Sequence, residues 1–280
     1  RYIVTTPEEV DSRFDDTQGR FATFAEWSLT PLPRLTVNAG GRYEFNQLNS
    51  RSYWSPRLSS SLRLHERTRL NMATGVYYQT PEFDVSTAAV ENEDLKNEQA
   101  LHLIAGLSHY LSDDVKITSE VYAKRFDDLI VHPDRTSRLH TNAGDGWARG
   151  VDLSLIKRLV DQFYGQVNYS FAKSRRDDND GLGSYDADFD QPHIFSVLGG
   201  CEINKSWAIS ANWRYATGRP RDSFVVHADV FDDPDYQRFS QEIVANNGDR
   251  LTAFHTFNIR VDQRTQLGQF ALVGFLDVVN

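Results

Sequence analysis

Residues 34–46 read RLTVNAGGRYEFN, and this stretch decides the fold. Leu35, Val37, Ala39, Tyr43 and Phe45 fall on one face of an extended chain. Thr36, Asn38, Gly40, Arg42, Glu44 and Asn46 fall on the other. A period of two sustained over this length predicts a β-strand with one apolar and one polar face. The stretch is longer than the usual strand of about 5–6 residues. It suits a tilted strand crossing a bilayer, which needs roughly 9–11 residues.

Working outward, the same unit recurs. Strands are expected at residues 19–30, 34–46, 56–64, 68–79, 98–111, 115–131, 146–157, 163–174, 191–203, 207–217, 252–264 and 270–280. Val115, Ile117, Val121 and Ala123, for example, oppose Lys116, Thr118, Glu120 and Lys124, whereas the last segment alternates poorly. Residues 1–18 read as the tail of a loop, Pro31-Leu32-Pro33 as a tight turn, and residues 47–55 as a medium loop. Connections of about three to five residues alternate with loops of about nine to thirty-four. One plain end and one decorated end is the asymmetry of an outer-membrane barrel, with short periplasmic turns and long extracellular loops. A soluble sandwich would have Greek-key connections and shorter strands.

Composition is consistent with this reading. Hydrophobic residues make up 40% of the 280, and no run approaches the roughly 18 apolar residues of a membrane helix. A membrane barrel gives the same averages, because only alternate residues face lipid. The 17 Phe, 12 Tyr and 5 Trp suit aromatic girdles, although an ordinary all-β core favours the same residues. The single cysteine, Cys201, excludes an intrachain disulfide and a cysteine-based metal site. A net charge of −9 argues against a nucleic-acid partner. Acids concentrate in residues 80–97, 175–190 and 218–251, which together carry −11 and leave the remainder close to neutral. No leader is legible at Arg1, and Asn280 falls inside an apparent strand, so we expect a part of a larger protein.

Several segments, in order, carry a family resemblance. Ser55–Phe83, SPRLSSSLRLHERTRLNMATGVYYQTPEF, is a Ser-Pro-Arg strand, a turn and a strand ending in Gln-x-Pro. ENEDLKNE at 91–98, VYAKRFDDLI at 121–130 and NAGDGWARGVDL at 142–153 follow. DQPH at 190–193, YATGRP at 215–220 and FLDVVN at 275–280 complete the series. Together they resemble the TonB-dependent outer-membrane receptors over nearly the whole chain. Glu93 and Asn97 stand where that family usually has prolines, so a less rigid loop is expected there.

The resemblance implies an all-β, antiparallel up-and-down transmembrane β-barrel. Residues 1–280 would supply about twelve strands of a 22-stranded barrel, without the plug, the first strands or the final strand. It also implies a receptor in the Gram-negative outer membrane that binds a siderophore, cobalamin, haem or glycan at extracellular loops. Import would be coupled to TonB, with no enzymatic chemistry and no cofactor. Implied partners are outer-membrane lipid and lipopolysaccharide, the protein's own plug domain, the TonB complex and a small-molecule or oligosaccharide substrate. A passive porin is the alternative.

Inward polar residues Arg42, Glu44, Arg57, Arg69 and Arg214 are expected to face the plug, as are Arg63 and Glu120. Substrate contacts are expected in the loops, because function concentrates on loops held by a rigid scaffold. Tyr53, Trp54, Trp147, Arg149, Arg219 and Arg221 combine stacking surface with hydrogen-bond donors. An aromatic residue at such a position is also a common membrane-interface anchor. The eight histidines show no ligand spacing, and His102 and His109 should point to opposite faces. DDNDGLG at 177–183 fails as a calcium loop, since Arg176 occupies the first ligand position and the closing Glu is missing. No metal site is expected.

Overall fold

A computed structural model describes residues 19–132, 139–230 and 237–280. The loop expected at residues 1–18 and the middle of that expected at 132–145 lie outside the described residues. The chain begins with β1 (Arg20–Leu32), β2 (Leu35–Asn46), β3 (Arg51–His65) and β4 (Thr68–Gln79). A short helix, α1 (Phe83–Thr87), and a 3₁₀ turn at Val90–Asp94 follow. Then come β5 (Glu98–Tyr110), β6 (Val115–Val131), β7 (Thr141–Val160), β8 (Phe163–Asp177) and the two-residue β9 (Tyr185–Asp186). The remainder is β10 (His193–Glu202), β11 (Trp207–Ala216), β12 (Pro220–Val230), β13 (Gln237–Arg250), β14 (Phe254–Leu267) and β15 (Phe270–Val278).

One 13-stranded antiparallel sheet runs β1 through β8, then β10, β11, β14 and β15, with β9 attached to β8. β1 and β15 are its edges, and the sheet is not closed among the described residues. All twelve expected strands are present in the expected order. The register keeps the two faces distinct across the sheet. Leu29, Val37, Ser60, Met72, Ala105, Val121, Val151 and Phe171 form one continuous cross-strand row of the apolar face. Asn38 and Ser59 hydrogen-bond at 3.3 Å on the polar face, as do Ser154 and Asn168 at 2.8 Å. A one-residue slip would exchange the faces everywhere, so the alternation pins the register.

The short connections have local causes. Asp161 and Gln162 take φ of +52° and +74° between Val160 and Phe163. Two positive φ values give a type I′ turn, whose twist matches the flanking strands. Asn204 Oδ1 accepts the amides of Ser206 and Trp207 at 2.8 and 3.0 Å, an Asx turn between β10 and β11.

Four expectations need correction. β1 runs through Pro31 to Leu32, so the turn is Pro33-Arg34 alone. Residues 51–55 are strand, paired with residues 42–46, which shortens the expected medium loop to residues 47–50. β7 begins at Thr141 rather than Gly146. The long loop at 218–251 contains a hairpin of β12 and β13, separate from the main sheet.

Candidate functional site

The long-loop end of the sheet is held by two polar networks. The first seats residues 80–97 on β3 and on the start of β7. Tyr53, 9% exposed, accepts the Asn97 amide on its hydroxyl at 2.9 Å. It also takes Asn49 Nδ2 at 3.3 Å, and Asn49 Nδ2 reaches the Leu95 carbonyl at 2.6 Å. Asn92, fully buried, donates to the Val85 carbonyl at 2.8 Å and accepts the His140 amide at 3.0 Å. Asn142 Oδ1 accepts the Lys96 amide at 2.8 Å, while its Nδ2 donates to the carbonyls of Lys96 and Asp128. A bulge in β6, with Asp128 at φ +56°, brings its carboxylate 2.9 Å from Lys96 Nζ. This loop is therefore fastened, contrary to the less rigid loop expected from the missing prolines. At Asn97 a proline would remove the amide that Tyr53 binds.

The second network fastens the β12–β13 hairpin. Arg250 Nη1 donates to the carbonyls of Asp190 and Gly218 at 2.8 and 3.2 Å. Its Nη2 meets the carboxylates of Asp186, at 2.5 Å, and Asp190. Lys173 Nζ lies 2.6 Å from Asp186 and 3.2 Å from Asp190, and the Ser174 amide donates to Asp190 at 2.7 Å. Burial alone would raise the Asp186 pKa, but hydrogen bonds from Lys173 and Arg250 outweigh it and hold the carboxyl below its usual range. Asn247, at φ +50°, adds bonds to the Asp186 carbonyl and the Asp188 carboxylate. The stems touch at Gly218, where any Cβ would collide with the Leu251 carbonyl.

The expected plug-facing residues Arg42, Glu44, Arg57, Arg69 and Arg214 all share the polar face by register. Arg42 and Glu44 pair with each other at 2.8 Å. The Arg57 guanidinium lies 4.7 Å from the Tyr77 ring.

The six residues expected in loops separate. Arg219 does lie in a connection, its guanidinium 5.1 Å from the Phe189 ring. Arg221 lies on β12, paired with Asp249 at 2.5 Å. Tyr53 and Trp54 belong to β3, because that strand starts early. Tyr53 sits in the first network, and Trp54 lies over Gly41 on the apolar face. Trp147 and Arg149 belong to β7 and share the apolar face with Val151, Leu153 and Leu155. Asn92, Lys173, Asp186 and Arg250 carry no signal in the sequence, and Asn97 is noted there only as standing where the family usually has proline. Only the DQPH segment drew notice to Asp190, since charges in acidic loops read as solvated.

His102 and His109 do sit on opposite faces of β5. Among the described residues, no group of three His, Cys, Asp or Glu side chains is placed to hold a metal ion.

A search of curated protein sequences gives no match. Solved structures are similar in fold. The outer membrane transporter YddB from Escherichia coli aligns over 94% of this chain with a TM-score of 0.69 and 15% identity. The FrpB iron transporter from Neisseria meningitidis aligns over 88%, with a TM-score of 0.62 and 13% identity. The siderophore receptor PiuA from Acinetobacter baumannii aligns over 88%, with a TM-score of 0.67 and 9% identity. The chain spans only 41%, 38% and 37% of those three chains, respectively. The family model described as TonB dependent receptor-like, beta-barrel, matches residues 2–274. This chain, with its long antiparallel meander and two-faced strands, belongs to the TonB-dependent receptor β-barrel family.

Proposed function

We propose that the chain is part of a larger outer-membrane barrel that works as an active-transport receptor. In this reading the apolar face meets lipid, and the polar face lines a lumen closed by a plug domain. Arg42, Glu44, Arg57, Arg69 and Arg214 would bond or pair with that plug. The long-loop end would face outside the cell and take a scarce nutrient, which passes inward when TonB is engaged. Arg219 on Phe189 and the neighbouring Arg221 supply donors and stacking surface for it. The FrpB and PiuA structures are described as an iron transporter and a siderophore receptor, so a ferric complex is the substrate class to test first.

One observation carries the reading. The register carries one apolar row from β1 through β8, and two polar networks hold the long-loop end. A binding platform needs that rigidity, whereas a solvated loop does not.

The test uses the full protein purified from outer membranes in detergent. Slower migration after heating and no steady conductance in a planar bilayer are the expected results for the purified protein, and intact cells carrying it should take up a labelled ferric complex only when TonB is present. Large steady conductance would establish a passive porin instead.

A further inference from the structure

The apolar face is not smooth. Between β2 and β6 it carries a groove of about 660 Å³, floored by Thr74 and Ala105 and flanked by Leu58, Met72, Leu103 and Val121. The register alternates small and large side chains here, with Thr74 opposite Leu103 and Met72 opposite Ala105. At Leu103 and Ala123 the groove continues into a second hollow, whose walls include Arg125, Trp147 and Arg149. Pairing places Ala123 opposite Arg149 and Arg125 opposite Trp147. A step of one cross-strand row thus turns an aliphatic surface into a basic and aromatic one.

The charges in the second hollow are incompletely matched. The Arg149 guanidinium lies 4.9 Å from the Trp147 ring, and among the described residues it has no carboxylate within ion-pair distance. Arg125 pairs with Asp127 at 2.9 Å while its side chain stays 73% exposed. Asp145 also borders the hollow, and Asn179 donates to its carboxylate at 3.1 Å. Lys173 and Arg175, the next basic pair on this face, turn toward Asp186 and the Ser184 carbonyl.

We propose that this furrow seats one acyl chain of a membrane lipid, and that Arg125 and Arg149 take the phosphate of its headgroup. The inference rests on the membrane reading above. Apolar groove, tryptophan and arginine follow one another as tail, interface and headgroup do in a lipid leaflet. The guanidinium fork suits phosphate, and its stacking on Trp147 holds it aimed while leaving its N–H groups free. Trp147 and Arg149 then act on the lipid side of the wall instead of contacting imported substrate.

The full protein in detergent would be titrated with dioleoyl phosphatidic acid, with dioleoylglycerol and with inorganic phosphate, and bound molecules counted by native mass spectrometry. Phosphatidic acid is expected to bind, and the double variant Arg125→Gln, Arg149→Gln to weaken it roughly tenfold or more. Ala105→Phe, which fills the groove, should weaken it with both arginines intact. Each variant should keep the heat-shifted migration of the parent, which separates lost binding from lost folding. Equal binding of dioleoylglycerol, or unchanged binding by the variants, overturns the proposal. Competition by inorganic phosphate makes the hollow a free-anion site and overturns the lipid assignment. A parent protein found in the soluble fraction overturns the membrane reading itself and this site with it.

Discussion

Arg250 grips Asp190 twice, donating to its backbone carbonyl at 2.8 Å from one terminal nitrogen and to its carboxylate from the other. Asp190 is buried at 1% side-chain exposure, while the arginine comes from the last residue of the β12–β13 hairpin. Among the described residues no ladder joins the hairpin to the main sheet, so this grip and the bonds of Asn247 to Asp186 and Asp188 tether it. Arg250→Ala leaves Asp190 with Lys173 and the Ser174 amide only. We expect a local cost of about 1–3 kcal/mol and faster hydrogen exchange at residues 218–226 and 242–251. Exchange in β2–β6 should not change. Unaltered protection in the hairpin would mean that its stems hold it without the arginine.

Tyr53 and Asn97 give a second test. The Tyr53 hydroxyl accepts from the Asn97 amide and from Asn49 Nδ2, and both donors are buried. Tyr53→Phe keeps the ring contact with Tyr78, whose centroid lies 4.9 Å away, but removes the acceptor. Leaving a buried donor unmatched costs about 1–3 kcal/mol. Residues 80–97 should become sensitive to proteolysis while the barrel stays folded. Asn97→Pro should do the same through the missing amide. A resistant loop in both variants would sink the idea that this bond seats it.

The alternation made the strands legible because each element must present one face to an apolar and one to a polar environment, and that demand fixes every second residue. Loops face no such demand. Asp186, Asp190 and Arg250 are far apart in sequence, and nothing local shows that they meet. Trp147 and Arg149 were misplaced for a different reason. Their combination of stacking surface with donors pointed to a loop, although the strand expected at residues 146–157 contains both; a Cβ at Gly146 would lie 2.6 Å from the Arg175 carbonyl of the paired strand. Glycine there marks a close approach within the sheet. The shared polar face of Arg42, Arg57, Arg69 and Arg214 was easier, since it needed only a parity count.

At the short-turn end, hydrogen bonds from Lys157 and Ser112 lower the Asp114 carboxyl from 3.8 to about 2. A carboxyl depressed in the folded state adds stability above its unfolded pKa, and that contribution fades as pH falls through the folded value. Asp114→Asn should therefore lower the unfolding temperature at neutral pH. The gap from the parent should close as the pH is taken from about 4 to about 2. A gap that is constant over this range would mean that Asp114 acts through its turn geometry rather than its charge.

The assignment of the faces rests on one cysteine that the chain already carries. Cys201 lies opposite Phe163 on β8 and Ile209 on β11, all on the apolar face. Ser196, on the same strand, has the other parity and accepts a hydrogen bond from Asn168 at 3.2 Å. In the full protein, with any other cysteine replaced by serine, Cys201 should resist a charged, sulfonated maleimide in membranes and react with it once the protein is denatured. Moving the thiol by Cys201→Ser and Ser196→Cys should open it to the sulfonated reagent, because the new thiol points to the opposite side of the sheet. A membrane holds a charged reagent out of its core whatever the protein does, so the contrast reports the side chain's surroundings. Rapid labelling of Cys201 by the sulfonated reagent would place the apolar face in water and reverse the orientation of the wall.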